Sequence, residues 1–135
     1  MKDDSPSMRD LIRQRYSCRT YEPRPIAPDA QTAIQAFLDT LGLGPLGTPG
    51  RFRLIAATDH DHAALKGLGT YGFIRNAPGF LVGTVPEGPH ALEDFGYLME
   101  RAILHATSLG LGTCWLGGTF SKSRFAQTIG LQPHE

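Results

Sequence analysis

No stretch of this 135-residue chain stays apolar for the roughly 18 to 20 residues that a membrane span needs. The opening residues, Met1 to Arg9, are charged and lack the apolar core of a secretory signal, so a cytoplasmic setting is expected. An excess of one charge sign is missing too. Thirteen Lys plus Arg balance thirteen Asp plus Glu, which leaves no basic face for nucleic acid or an anionic membrane. A small molecule is the expected partner. Cysteine is scarce: Cys18 and Cys114 lie far apart in the sequence and read as two free, packed thiols of a reducing compartment. No segment repeats, and the length suits one globular domain over residues 1–135 with no room for a second.

What the chain does have is glycine and proline, 16 and 10 of them, scattered between apolar-periodic segments as in a fold with many tight turns. Ser5 and Pro6 predict a helix start, with Met8, Leu11 and Ile12 facing the core and the helix fading near Tyr16. Pro23, Pro25 and Pro28 make Ser17 to Pro28 an extended connection. From Asp29, the residues Ala30, Ala33, Ile34, Phe37, Leu38 and Leu41 recur at the helical period, and Gly42 supplies the stop. Phe52 to Ala57 and Phe80 to Val85 read as strands, and Asp59 or Asp61 caps a short helix running through Leu68. The longest helix runs from Leu92 to Leu109, a third strand covers Thr113 to Leu116, and Ser121 opens a last helix with Phe125 and Ile129. The class these elements predict is α+β, with helices packed around a small mixed or antiparallel sheet.

Several apparent motifs fail on their physics. Gly42, Gly44 and Gly47 spell GxGxxG, but the pattern follows a helix instead of a strand and contains Pro45, so it reads as a plain loop. His60, Asp61 and His62 share neither a helix face nor a Cys-rich knuckle, so they read as a solvated helix start and no metal site is expected. Glu100 and His105, five apart on one helix, point in different directions. No nucleophile–base arrangement can be assembled, and no catalytic side chain is assigned.

Two segments stand apart. RQRYSCRTY, Arg13 to Tyr21, gathers three guanidinium groups and hydroxyl-bearing side chains at a helix end, a composition that suits a phosphate because arginine presents a planar fork of donors. The plainer reading is three surface arginines with Cys18 and Tyr21 turned inward, and composition leaves both open. LGLGTCWLGGTF, Leu109 to Phe120, ends a helix in glycines and carries the pair Gly117 and Gly118, which lets backbone approach a flat ligand or simply makes a turn.

Together these segments resemble the nitroreductase family of flavoproteins, in the same order and at about the same separation. Arg15, Ser17, Arg19 and Tyr21 match the family's RxSxRxY element, and Gly110 to Gly118 its GLGTxWxGG element; Tyr71 to Val85 resembles the strand that follows an Asn-Ala-Pro step. The resemblance implies a nitroreductase-like fold and FMN as cofactor. It assigns the phosphate and ribityl chain to Arg15, Tyr16, Ser17 and Arg19, and the flavin ring edge to Leu116, Gly117 and Gly118. It also implies NAD(P)H as co-substrate, a small flat electron acceptor such as a nitroaromatic or quinone, and a homodimer with FMN at its interface, the long helix supplying much of the contact. Two departures stand out. The family's loop Asn and Gln for the flavin pyrimidine are replaced by Gly47, Thr48, Pro49, Gly50 and Arg51, and the family's later elements, with a late basic residue for the phosphate, are absent. They fit either a C-terminally incomplete or shortened member, or a non-catalytic flavin-binding dimer of the same fold with a regulatory or storage role.

Overall fold

The computed structural model describes residues 5–56, 72–117 and 122–135. Helix α1 spans Met8–Gln14 and is capped by Ser7, not Ser5. The reason is Asp10: it lies three residues after Ser7, its amide donates to Ser7 Oγ at 3.2 Å, and its carboxylate accepts from Ser7 N–H at 3.3 Å, closing a capping box. Of the three apolar residues expected to face inward only Leu11 is buried, whereas Met8 and Ile12 are more than half exposed.

Helix α2, Pro28–Asp39, starts on a proline at its first turn and buries Ile34 and Leu38. Strands β1 (Arg51–Ala56) and β2 (Gly79–Thr84) pair antiparallel in a register that sets Arg51 opposite Thr84 and Ala56 opposite Gly79. On its outer edge β1 does not wait for a third strand, because the Leu54 amide donates to Gln35 Oε1 of α2 at 3.1 Å. Helix α3, Ala91–Ser108, lays a long stripe of Leu98, Met99, Ala102 and Ile103 against α2 and β1, so that Ile34, Leu38, Leu41 and Phe52 complete one core. Leu98 at its centre is wholly buried, a contribution of roughly 1.5 to 3 kcal/mol from its side chain alone.

Helix α4, Lys122–Ile129, buries Phe125 and Ile129, and Phe125 meets Phe80 of β2 edge-to-face at 5.0 Å. Arg51 then ties the ends together. Its Nη1 donates to the Ile129 carbonyl at 2.8 Å and its Nη2 to the Gly130 carbonyl at 3.1 Å, where the helix dipole favours a cation. The same guanidinium grips Glu135 at 2.5 Å, and Thr84 Oγ1 donates to that carboxylate as well. Glu135 is therefore held far below the usual carboxylate range, at about 2, chiefly by Arg51 and against the opposing effect of burial.

The expected third strand is not formed: among the described residues Thr113 to Leu116 makes a single parallel bridge, Thr113 to Ser17, and no ladder. The helix expected from Asp59 or Asp61 through Leu68 lies outside the described residues. The antiparallel pair with helices packed on it is the α+β arrangement expected. Among the described residues no helix is long and apolar enough to cross a membrane.

Candidate functional site

After Gln14 the chain straightens: Arg15 closes α1 in an extended conformation, φ −63° and ψ 132°. Extended backbone has a period of two, so Arg15, Ser17 and Arg19 alternate with Tyr16 and Cys18 along it. The segment then joins two remote parts of the chain. Ser17 forms the parallel bridge with Thr113, sealed by Cys18 N–H donating to the Thr113 carbonyl at 2.9 Å. Thr20 forms a second bridge with Arg75, where Arg75 N–H donates to Arg19 O at 2.9 Å and Tyr21 N–H to Arg75 O at 3.0 Å. Asn76 adds a bond from Nδ2 to the Tyr21 carbonyl at 3.3 Å. To do so Asn76 sits at φ 59°, a left-handed conformation that asparagine tolerates better than most residues. The three segments singled out in the sequence thus meet along Arg15 to Tyr21.

Where they meet, polar atoms lack partners. Arg15 Nη1 and Thr113 Oγ1 are both buried and find no hydrogen-bond partner among the described residues. Both residues line one cleft of about 190 Å³, bounded by Gln14 and Tyr16 on one side and Thr107 and Gly110 to Gly112 on the other. A buried guanidinium N–H with no acceptor is costly, since arginine does not shed its charge. An anionic oxygen in the cleft would relieve it. Tyr16 lines this cleft, and Tyr16, Ser17 and Arg19 are exposed.

On its other side the strip from Leu111 to Leu116 borders a largely apolar cavity of about 660 Å³ between β2, α3 and α4. Trp115 fixes the strip to α3 through Nε1–H donating to Glu100 Oε2 at 2.8 Å. Leu116 lines the cavity, Gly117 is exposed at its end, and Gly118 lies outside the described residues.

A model described as "Putative TM nitroreductase" matches residues 7–133. The chain belongs to the nitroreductase family. In fold it is similar to a crystal structure of a nitroreductase family protein from Clostridium difficile 630, with a TM-score of 0.67 and 21% identity over 92% of this chain and 75% of that one. No curated protein matches the chain. Family membership sets this nitroreductase-like chain among oxidoreductases.

Two residues of this nitroreductase-family chain escaped the sequence reading. Thr113 is expected in a strand and in the GLGTxWxGG element but with no ligand role; its buried hydroxyl, unpartnered among the described residues, on the cleft that Arg15 also lines has no signature in composition. Asp94 did leave a signal, because it falls on the α3 stripe that Ala91, Leu98 and Ala102 share, and an acid among core positions needs donors aimed at it. Those donors are Leu46 N–H at 2.9 Å and Thr48 N–H at 2.8 Å, in the loop after α2. Burial raises the pKa of Asp94, yet the hydrogen bonds from Thr48 and Leu46 outweigh it and hold the carboxyl below its ordinary value. Glu100 and His105 do not pair with each other: Glu100 accepts from Trp115, and His105 stacks on Phe37 at 4.2 Å with its buried Nε2 unpartnered among the described residues. His60, Asp61 and His62 lie outside the described residues.

Proposed function

We propose that this chain is an FMN-dependent oxidoreductase of the nitroreductase type, passing electrons from NAD(P)H to a small flat acceptor such as a nitroaromatic or quinone. The observation that carries the reading is the pair of buried, unpartnered donors Arg15 Nη1 and Thr113 Oγ1 on one cleft, which fits the phosphate of FMN. When bound, FMN supplies the hydride chemistry. The residues of the chain then hold and orient. Arg15 and Arg19 neutralise the phosphate, Ser17 and Tyr16 add neutral hydrogen bonds, and Leu116, Gly117 and Gly118 bring backbone to the ring edge. The largely apolar cavity beside Leu116 offers a flat acceptor a surface on that side of the strip.

One observation favours the non-catalytic alternative. The Leu46 and Thr48 amides are committed to Asp94, so they are not free to hold the pyrimidine edge of a flavin. A homodimer with the cofactor at its interface is part of the proposal and draws support from Leu43 at 65% exposure, Leu46 at 54% and Tyr97 at 51%. The apolar stripe of α3 is already buried within the protomer, so these residues, more than the helix as a whole, offer the contact surface.

The test is an anaerobic spectrum of FMN-loaded protein. Bleaching on addition of NAD(P)H, followed by recovery of the yellow colour with a quinone, supports the enzyme; a bound flavin that stays yellow supports the binding-only alternative; no FMN uptake removes both.

A further inference from the structure

Cys18 and Cys114, remote in sequence, flank a single parallel bridge. Each is the next residue after the parallel bridge between Ser17 and Thr113, and the Cys18 amide itself makes the 2.9 Å bond to the Thr113 carbonyl. Neighbouring parallel strands run about 4.8 Å apart. That spacing falls inside the roughly 4.4 to 6.8 Å between α-carbons that a disulfide spans. Residues one step past a bridge also turn to the same side of the ribbon, opposite to Ser17 and Thr113.

Two further observations set both thiols about Gly112 and Tyr21. Cys18 leans over the bare backbone of Gly112, where an added Cβ would lie 2.9 Å from both Cys18 Cβ and Sγ, and Gly112 stands two residues before Cys114 on the same side of its strand. The Tyr21 phenol senses both thiols: burial pushes it up most, and Cys18 and then Cys114 push it further. Both cysteines are free and half-buried, so a small reagent can reach them.

We propose that Cys18 and Cys114 form a redox-active dithiol whose substrate is a small-molecule disulfide. The sulfur of one cysteine attacks the small disulfide, breaking its S–S bond; the proton of that cysteine goes to solvent and the first small thiolate leaves and is protonated. The second cysteine attacks the protein sulfur of the mixed disulfide, closes the Cys18–Cys114 bond and expels the second small thiol. Two electrons pass from the protein to the small disulfide, and the balance is one protein dithiol and one small disulfide giving one protein disulfide and two small thiols. The product staples Arg15–Tyr21 to Leu111–Gly117, which a backbone hydrogen bond joins at Cys18 in the reduced chain. The chemistry goes beyond flavin binding and does not depend on it.

The test begins with protein reduced by dithiothreitol, desalted and equilibrated in glutathione buffers of graded oxidised-to-reduced ratio. Alkylation of the remaining thiols and intact mass then report the products. The expected product has lost two hydrogens, takes up no alkylating agent and yields one cross-linked peptide joining Cys18 to Cys114. Cys18→Ser and Cys114→Ser each accumulate a single glutathione adduct, because the resolving thiol is gone. Half-oxidation of the folded protein requires a glutathione ratio about tenfold or more less oxidising than the same chain in urea, since a bond that the fold pre-aligns is favoured by it. Two glutathione adducts without an internal bond, intermolecular disulfides alone, or equal oxidation of folded and unfolded chains would each overturn the proposal.

Discussion

Gly44 and Asp94 occupy adjoining space so closely that a Cβ on Gly44 would lie 2.3 Å from the Asp94 carboxylate carbon. The glycine is what allows the loop to fold down and present its Leu46 and Thr48 amides to that acid. Gly44→Ala should therefore destabilise the protein by about 1 to 3 kcal/mol, the range for overpacking a filled site. The cost should shrink when Asp94 is also replaced by Gly, since both the carboxylate and the Asp94 Cβ, which would lie 2.4 Å from the added methyl, are then gone. Urea unfolding of the two single variants and the double variant measures the coupling; additive losses would separate the two residues.

The way Glu135 is bound fixes the sign of one pH dependence. Its folded pKa of about 2 lies below the ordinary 4.5, so the folded chain holds its charge where the unfolded chain begins to protonate. Stability from this group is fully present above about pH 4.5 and disappears as pH falls through the range down to about 2. Glu135→Gln should be less stable than the native chain at neutral pH and flatter than it across that acid range. Melting curves from pH 6 downward decide it, and parallel profiles for the two proteins would remove Glu135 from the acid response.

Asn76 carries a third expectation through its backbone. At φ 59° a β-branched side chain is strained, so Asn76→Val should cost about 1 to 2 kcal/mol from conformation and a further amount from the lost bond to Tyr21 O. Asn76→Gly keeps the conformation accessible and loses only the side-chain bond. Equal losses for Val and Gly would show that the hydrogen bond, and not the left-handed backbone, is what the position needs.

The elements with strong periodicity were legible in the sequence, and those defined by pairing were not. The stripe of Leu98, Met99, Ala102 and Ile103 announced α3, and the apolar runs around Phe52 and Phe80 announced β1 and β2, because each pattern is local. Ser5 was mistaken for the cap of α1 because Ser5-Pro6 is the stronger local pair, whereas the deciding partner, Asp10, favours Ser7. Thr113 to Leu116 looked like a strand from its apolar run, but a strand needs a neighbour over several residues, and Ser17 offers one bridge. At the candidate site, Arg15, Ser17 and Arg19 were readable as a phosphate-suited cluster, while Thr113 depended on a contact between residues remote in sequence. The same limit hid the adjacency of Cys18 and Cys114.

Arg15 is the sharpest probe of the proposed cofactor site, because its buried Nη1 lacks an acceptor among the described residues. A charge-assisted hydrogen bond to a phosphate contributes roughly 1.5 to 3 kcal/mol. Arg15→Ala should thus weaken FMN binding by about ten- to more than a hundredfold, each 1.4 kcal/mol being a factor of ten. Riboflavin has no phosphate and should lose far less. The ligand-free protein should not suffer in proportion, since the substitution also removes a buried donor that is unsatisfied there. Arg19→Ala, at an exposed position on the same extended segment, should show the same preference for FMN over riboflavin. Flavin fluorescence titrations with both ligands, run beside thermal melts of the ligand-free proteins, separate the possibilities. A loss of FMN affinity without a matching loss for riboflavin assigns Arg15 to the phosphate. A fall in melting temperature with equal losses for both ligands would make Arg15 a packing residue and leave the cleft beside Thr113 without its anion.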